Sequence, residues 1–137
     1  MSVRITSKAI ILNNGKILLN KCYDKNNGEY YSLPGGGQNK YETLHEAIIR
    51  ECLEETGYKV KPVCFAALCE EICDNLIVRQ TSQYPHKMFH IFICELCSEE
   101  RTTPTEIDKM QIDTQWLDIK DLNNIKLLPK AVGANIL

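Results

Sequence analysis

No stretch of the 137-residue chain approaches the roughly 20 consecutive apolar residues that a membrane helix requires. Its opening residues carry only a short apolar stretch, too brief for a secretory signal. Nor does either charge dominate, since 16 Lys and Arg stand against 18 Asp and Glu for a formal net charge of -2. Lacking a basic surplus, the chain has no electrostatic grip suited to polymeric nucleic acid, while single nucleotides stay within reach. No internal repeat, low-complexity tract or linker rich in Pro, Gly and Ser divides it. These absences predict one cytoplasmic domain over residues 1–137, and 44% hydrophobic residues suffice for a core.

Cysteine, by contrast, is abundant: Cys22, Cys52, Cys64, Cys69, Cys73, Cys94 and Cys97. The number is odd and several lie in apolar segments, which predicts reduced thiols and not a disulfide framework. Cys69-x3-Cys73 followed by Cys94-x2-Cys97 superficially resembles two halves of a zinc site, as in a zinc-stabilised interaction domain. However, His90 to Cys97 reads as a strand, in which Cys94 and Cys97 face opposite ways. Buried free thiols are the expected reading. His45, His86 and His90 have no transition-metal spacing and read as surface or edge positions.

Strand and helix signals alternate. Lys8 to Leu12 and Lys16 to Lys21 flank the turn Asn13-Asn14-Gly15, the pattern of a β-hairpin. A short strand, Tyr30 to Leu33, ends at Pro34 and is followed by Gly35, Gly36 and Gly37. Thr43-x-x-Glu46 is a capping box, and Gly57 sits where a left-handed residue would end a helix running from about Leu44 to Thr56. Further strands are expected near Lys59 to Cys69, Lys87 to Cys97 and Asp113 to Ile119. Asp118 to Leu122 opens a turn or short helix, and Leu128 to Leu137 reads as a terminal helix. The order predicts a mixed sheet with helices packed on its faces.

On a helical wheel, Glu51 and Glu55 fall between Leu44, Ile48 and Cys52, with Glu54 beside Ala47. The acids therefore share the apolar face, where their repulsion is least screened. Ile49 and Leu53 predict cover on the opposite side too. Arg50 can pair with Glu54 at i+4, yet one guanidinium cannot neutralise the whole group, whereas a hard divalent cation with oxygen ligands could. The competing reading is a surface helix rich in glutamate because glutamate favours helices. The glycines weigh against it: between a strand and a helix, residues without Cβ let backbone N–H groups approach an anion such as a phosphate bridged by the cation.

Gly36, five residues, Glu42, seven residues, then Arg50-Glu51-Cys52-Leu53-Glu54-Glu55-Thr56-Gly57-Tyr58 resembles the signature of the Nudix (MutT-like) hydrolases. Leu33 to Gly37 looks like the usual lead-in, and Trp116-Leu117 with Asp121-Leu122 is similar to a weaker later feature of that family. Two departures stand out. Cys52 takes an aliphatic position, and Gln38-Asn39-Lys40-Tyr41 replaces the acid and glycine that many members carry before the glutamate.

The resemblance implies an α/β (α+β) fold, a Nudix-like α/β/α sandwich with a mixed β-sheet and a catalytic loop-helix-loop. It further implies hydrolysis of the pyrophosphate bond of a nucleoside diphosphate linked to another moiety, with Mg²⁺ or sometimes Mn²⁺. Glu51, Glu54 and Glu55 would hold metal, Glu51 is also a candidate base, and Arg50 would orient the glutamates. Gly35, Gly36 and Gly37 would face substrate, with Glu42 in support. A further acid from outside the motif is often recruited, for which Glu95 is the leading candidate and Glu70 and Glu71 are others. The partner would be a small nucleotide, with neither nucleic-acid polymer nor membrane, and pairing of two protomers is common in domains of this kind. Cys73 to His86 is the expected specificity loop. Tyr84 or Trp116 could stack on a base, although a lone Trp in a strand is usually core. The alternative is a Nudix-fold domain that senses a nucleotide without cleaving it, against which the intact set of Arg50, Glu51, Glu54 and Glu55 argues.

Overall fold

The computed structural model describes residues 3–81, 84–107, 109–130 and 132–133. Its first two strands, β1 (Arg4–Asn13) and β2 (Lys16–Asp24), form the expected hairpin, with Leu12 opposite Ile17 and the turn residues Asn14 and Gly15 at φ 52° and 75°. β3 (Gly28–Ser32) follows, then β4 (Gly35–Gly37), α1 (Leu44–Thr56), β5 (Tyr58–Ile72), α2 (Leu76–Thr81), β6 (His86–Arg101) and β7 (Gln111–Asp118), ending in a 3₁₀ turn at Ile119–Asn124. The seven strands make one mixed sheet of order β3-β2-β1-β6-β5, with β4 added on β1 and β7 on β2. β1 and β6 are its parallel pair, in register from Arg4 opposite Lys87 to Ile11 opposite Cys94.

The alternation of β2 separates two hydrophobic cores. Leu18 points to the face covered by α1, where it joins Ala9, Ile11, Ile48, Cys52 and Phe92. Ile17 and Leu19 point to the other face, against Leu33, Phe89, Ile91, Leu122 and Val132. Each fully buried aliphatic side chain stabilises by about 1.5–3 kcal/mol, so packing on both faces of β2 anchors the sheet. No described helix is long and apolar enough to cross a membrane.

Three expectations are modified. The glycine triplet is a strand and not an open loop, because pairing with β1 (Thr6 opposite Gly37, Lys8 opposite Gly35) satisfies its backbone. The flank of α1 that holds Leu53 is open to solvent, with Leu53 39% exposed, since only one face of the helix meets the sheet. Within Cys73 to His86 the short helix α2 appears, which the polar composition concealed. Of the terminal helix expected over Leu128 to Leu137, residues 131 and 134–137 lie outside the described set; the N–H groups of Val132 and Gly133 both donate to the Pro129 carbonyl, as in a first helical turn.

α1 begins and ends where its caps dictate. Thr43 Oγ1 accepts from the Glu46 N–H at 3.0 Å and Glu46 Oε1 accepts from the Thr43 N–H at 3.0 Å. Gly57, at φ 78°, donates to the Leu53 carbonyl, and a Cβ there would fall 1.9 Å from the Thr102 carbonyl oxygen. Gly57→Ala is therefore expected to destabilise by about 1–3 kcal/mol, read as a lower urea midpoint with unchanged slope.

Candidate active site

The caps set the rotation of α1, and that rotation aims three acids, Glu51, Glu54 and Glu55, and one arginine at β4. Arg50 is the hub. Its Nε and Nη2 grip Glu42 bidentately at 2.7 and 3.0 Å, Nη1 reaches Glu51 at 3.0 Å and Glu54 at 3.1 Å, and Nη2 also donates to the Gly37 carbonyl at 3.1 Å. Such charge-assisted forks are about twice as strong as neutral hydrogen bonds. The Arg50 guanidinium holds the Glu42 carboxyl below its ordinary range, and Glu42 in turn strengthens the hold of Arg50 on its proton.

Glu51 lies against Gly36, where a Cβ would come within 2.6 Å of its carboxyl carbon. That close approach is the use of the middle glycine. The first serves differently: its N–H donates to Glu55 Oε1 at 3.2 Å. The anion that the glycine N–H meets is thus a carboxylate of the protein itself.

Glu55 is 5% exposed. Asn20 Nδ2 donates to its Oε1 at 2.9 Å, and Gln111 Nε2 bridges Asn20 Oδ1 and the Glu55 carbonyl, each at 3.1 Å. Burial pushes the Glu55 carboxyl up to about 8; Lys8 and the Gly35 N–H pull it down, and the neighbouring Glu51 adds to the rise. Lys8 itself donates to the carbonyls of Leu33 and Gly35 at 3.1 and 3.3 Å.

Glu51, Glu54, Glu55, Arg50 and the three glycines line one cleft of about 440 Å³, joined by Arg4 and Glu106. Beside it lies a cavity of about 520 Å³ that shares Gly35 and Glu55 and is walled by Lys8, Tyr30, Lys87, Phe89 and Met110. Glu55 is the partition between the two.

Every expected helix acid, Arg50, Glu42 and the glycines therefore meet in one place. Glu95 does not: it is exposed on β6 opposite Lys61 and lines no part of the cleft. Glu70 is also exposed and contacts His86 Nε2 at 2.6 Å, whereas Glu71 stands on the wall of the larger cavity. The outside acid at the cleft is Glu106, whose N–H donates to the Glu54 carbonyl at 3.0 Å. Nothing in its local sequence marked it, because a loop between strands is placed by the whole fold. Asn20 did carry a signal: a polar residue directly after Ile17-Leu18-Leu19 must find a partner when buried. Gln111 carried none.

Trp116 donates from Nε1 to the Tyr58 hydroxyl at 3.2 Å and packs on the α1 side, the core position expected of it. Cys94 is buried and Cys97 exposed, as strand alternation predicts, and burial pushes the Cys94 thiol up to about 12. His90 lies on β6 and His45 makes an edge contact with Phe92.

A mixed sheet whose edge glycines receive an Arg-tethered cluster of glutamates from one helix is the architecture of a NUDIX-type hydrolase. A family model of the NUDIX domain matches residues 3–135, and the chain belongs to the NUDIX family. It is 30% identical over 126 residues to nucleoside triphosphatase NudI of Enterobacter sp. (strain 638), covering 86% of this chain and 84% of that one. It is 29% identical over 131 residues to a Caenorhabditis elegans protein described as a nudix hydrolase, of which it spans 32% while 92% of this chain is covered. Its fold superposes on the crystal structure of a MutT NUDIX hydrolase from Burkholderia pseudomallei with a TM-score of 0.74, at 18% identity and with 100% of both chains covered.

The raised Glu55 gives a pH dependence with a definite sign. Between about 4.5, the ordinary value, and about 8 the folded protein retains a proton that the unfolded chain has lost. Stability of the metal-free protein from this group is accordingly expected to fall as pH rises through that window. Melting temperatures measured across it should decline for the wild type and flatten in Glu55→Gln, whose amide oxygen still accepts from Asn20.

Proposed function

We propose that the protein hydrolyses the pyrophosphate bond of a nucleoside diphosphate linked to another moiety, assisted by a divalent cation, Mg²⁺ with Mn²⁺ as substitute. One observation carries this reading: Glu51 and Glu54, held by the Arg50 guanidinium, meet Glu55 on a cleft that adjoins a nucleoside-sized cavity.

The donor set suits such a cation. Three carboxylates face the cleft, Arg50 divides its charge among Glu42, Glu51 and Glu54, and Glu55 is left with Lys8 as its nearest cation. Among the described residues no three Asp, Glu, His or Cys side chains form a ready-made metal cage. Mg²⁺ typically takes one or two carboxylates and completes its shell with water and substrate phosphate oxygens. Glu54 and Glu55, with Glu51, would hold it. When bound, it would neutralise phosphate charge and lower the pKa of an attacking water.

The chain's own residues divide the remaining work. Arg50 fixes the carboxylates in one arrangement, and Glu42 holds Arg50 from behind. Glu51, which lies against Gly36, would accept the proton of the attacking water. Gly35, Gly36 and Gly37 line the cleft and would face the diphosphate. Glu106 stands ready as a further acid of the cleft.

A panel of nucleoside triphosphates, ADP-ribose, sugar nucleotides and diadenosine polyphosphates, assayed with Mg²⁺ and then Mn²⁺, is expected to release a nucleoside monophosphate only when metal is present. Glu54→Gln should lower kcat about hundredfold or more while circular dichroism stays unchanged; full activity would remove Glu54 from the metal-holding set. A nucleotide that binds with Mg²⁺ and stays intact for hours would instead identify a sensing domain.

A further inference from the structure

The acid cleft contains a second arginine whose charge the glutamates do not use. Arg4 stands on β1 two residues before Thr6, the register partner of Gly37, and lays its guanidinium against that glycine. A Cβ on Gly37 would fall 2.3 Å from Arg4 Nη2. Behind it, the Tyr84 ring centroid lies 4.4 Å from Arg4 Cζ, a cation–π stack that holds the side chain in place. Among the described residues Arg4 has neither a carboxylate nor a hydrogen-bond partner. Glu51 and Arg4 meet neighbouring glycines of an extended strand, so they flank β4 from its two faces.

Three cavities follow one another past this strand. The nucleoside-sized cavity shares Gly35 and Glu55 with the acid cleft, and the cleft shares Arg4 and Asn39 with a third cavity of about 320 Å³. Lys40, Tyr41 and Tyr84 line the third, and its one acid, Glu42, is already gripped by Arg50. A diphosphate seated beneath the glutamates, with its nucleoside in the first cavity, therefore continues toward Arg4 and Lys40.

We propose that Arg4 binds the departing group and that this group carries a further phosphate beyond the one at the broken bridge, so that the substrate is a nucleoside triphosphate or longer polyphosphate and not a diphosphate joined to an uncharged sugar. The inference rests on the hydrolytic reading above and narrows it. In the step concerned, the water oxygen bonds to the attacked phosphorus and the bridging P–O bond breaks. Its electron pair stays on the departing phosphate oxygen, and the proton of the water passes to a cleft carboxylate. The planar fork of an arginine, already oriented by Tyr84, matches two oxygens of that further phosphate, which ADP-ribose and UDP-glucose lack.

The test compares kcat/KM for nucleoside triphosphates and diadenosine tetraphosphate with kcat/KM for ADP-ribose and UDP-glucose, in wild type, Arg4→Gln and Arg4→Lys. The expected wild type prefers the polyphosphates, and Arg4→Gln lowers that preference about 10- to 100-fold, with Arg4→Lys in between. Whether nucleoside triphosphates or diadenosine tetraphosphate lose more tells a terminal phosphate from one capped by a second nucleoside, and a loss on either supports the assignment. An unchanged preference, or equal losses on all substrates, overturns it while leaving the hydrolytic reading intact. Calorimetry with inorganic tripolyphosphate in the absence of metal decides the point without turnover. Binding weakened at least about tenfold by Arg4→Gln supports the assignment, and equal binding by both proteins overturns it, even should no nucleotide be cleaved.

Discussion

Five contacts of the Arg50 guanidinium, to Glu42, Glu51, Glu54 and the Gly37 carbonyl, tie the helix to the glycine strand and to the loop between them. The carboxylates of one helix face would otherwise repel one another at close range in poorly screened surroundings. With the guanidinium shared among them, Glu51 and Glu54 hold one geometry. The same contacts bind β4 against α1, so the charge arrangement and the packing of these elements reinforce each other.

Glu55 is governed by a different balance. Its backbone belongs to the helix, but its carboxyl reaches the polar pair Asn20 and Gln111 from β2 and β7. Those two strands are paired through most of their length, from Lys16 opposite Asp118 to Cys22 opposite Gln111. A buried amide pair costs free energy unless satisfied, and here each amide satisfies the other or the acid. The outcome is an acid set rigidly between the cleft and the larger cavity, its carboxyl pushed by burial up to about 8.

Around this site the sheet does conventional work. The two hydrophobic clusters bury both faces of β1 and β2, so the strand edges that receive the helix acids cannot shift without opening a core. The loop that brings Glu106 is fixed to the helix by two N–H groups, those of Thr105 and Glu106, on the single Glu54 carbonyl.

The local features were legible in the chain itself. Helix α1 starts at a capping box and stops at a left-handed glycine, both nearest-neighbour effects, so its limits of Leu44 and Thr56 and the common face of its glutamates follow from short-range rules. The hairpin turn at Asn14-Gly15 and the opposed directions of Cys94 and Cys97 follow in the same way. Tertiary structure decided what depends on partners distant in sequence. It made Gly35 to Gly37 a strand by supplying β1 as neighbour, and it left Glu95 in solvent while bringing Glu106 to the cleft. It also set Arg4 beside Gly37, some thirty residues away in sequence. Periodicity reports which face a side chain takes within its own element; only the pairing of elements determines what that face meets.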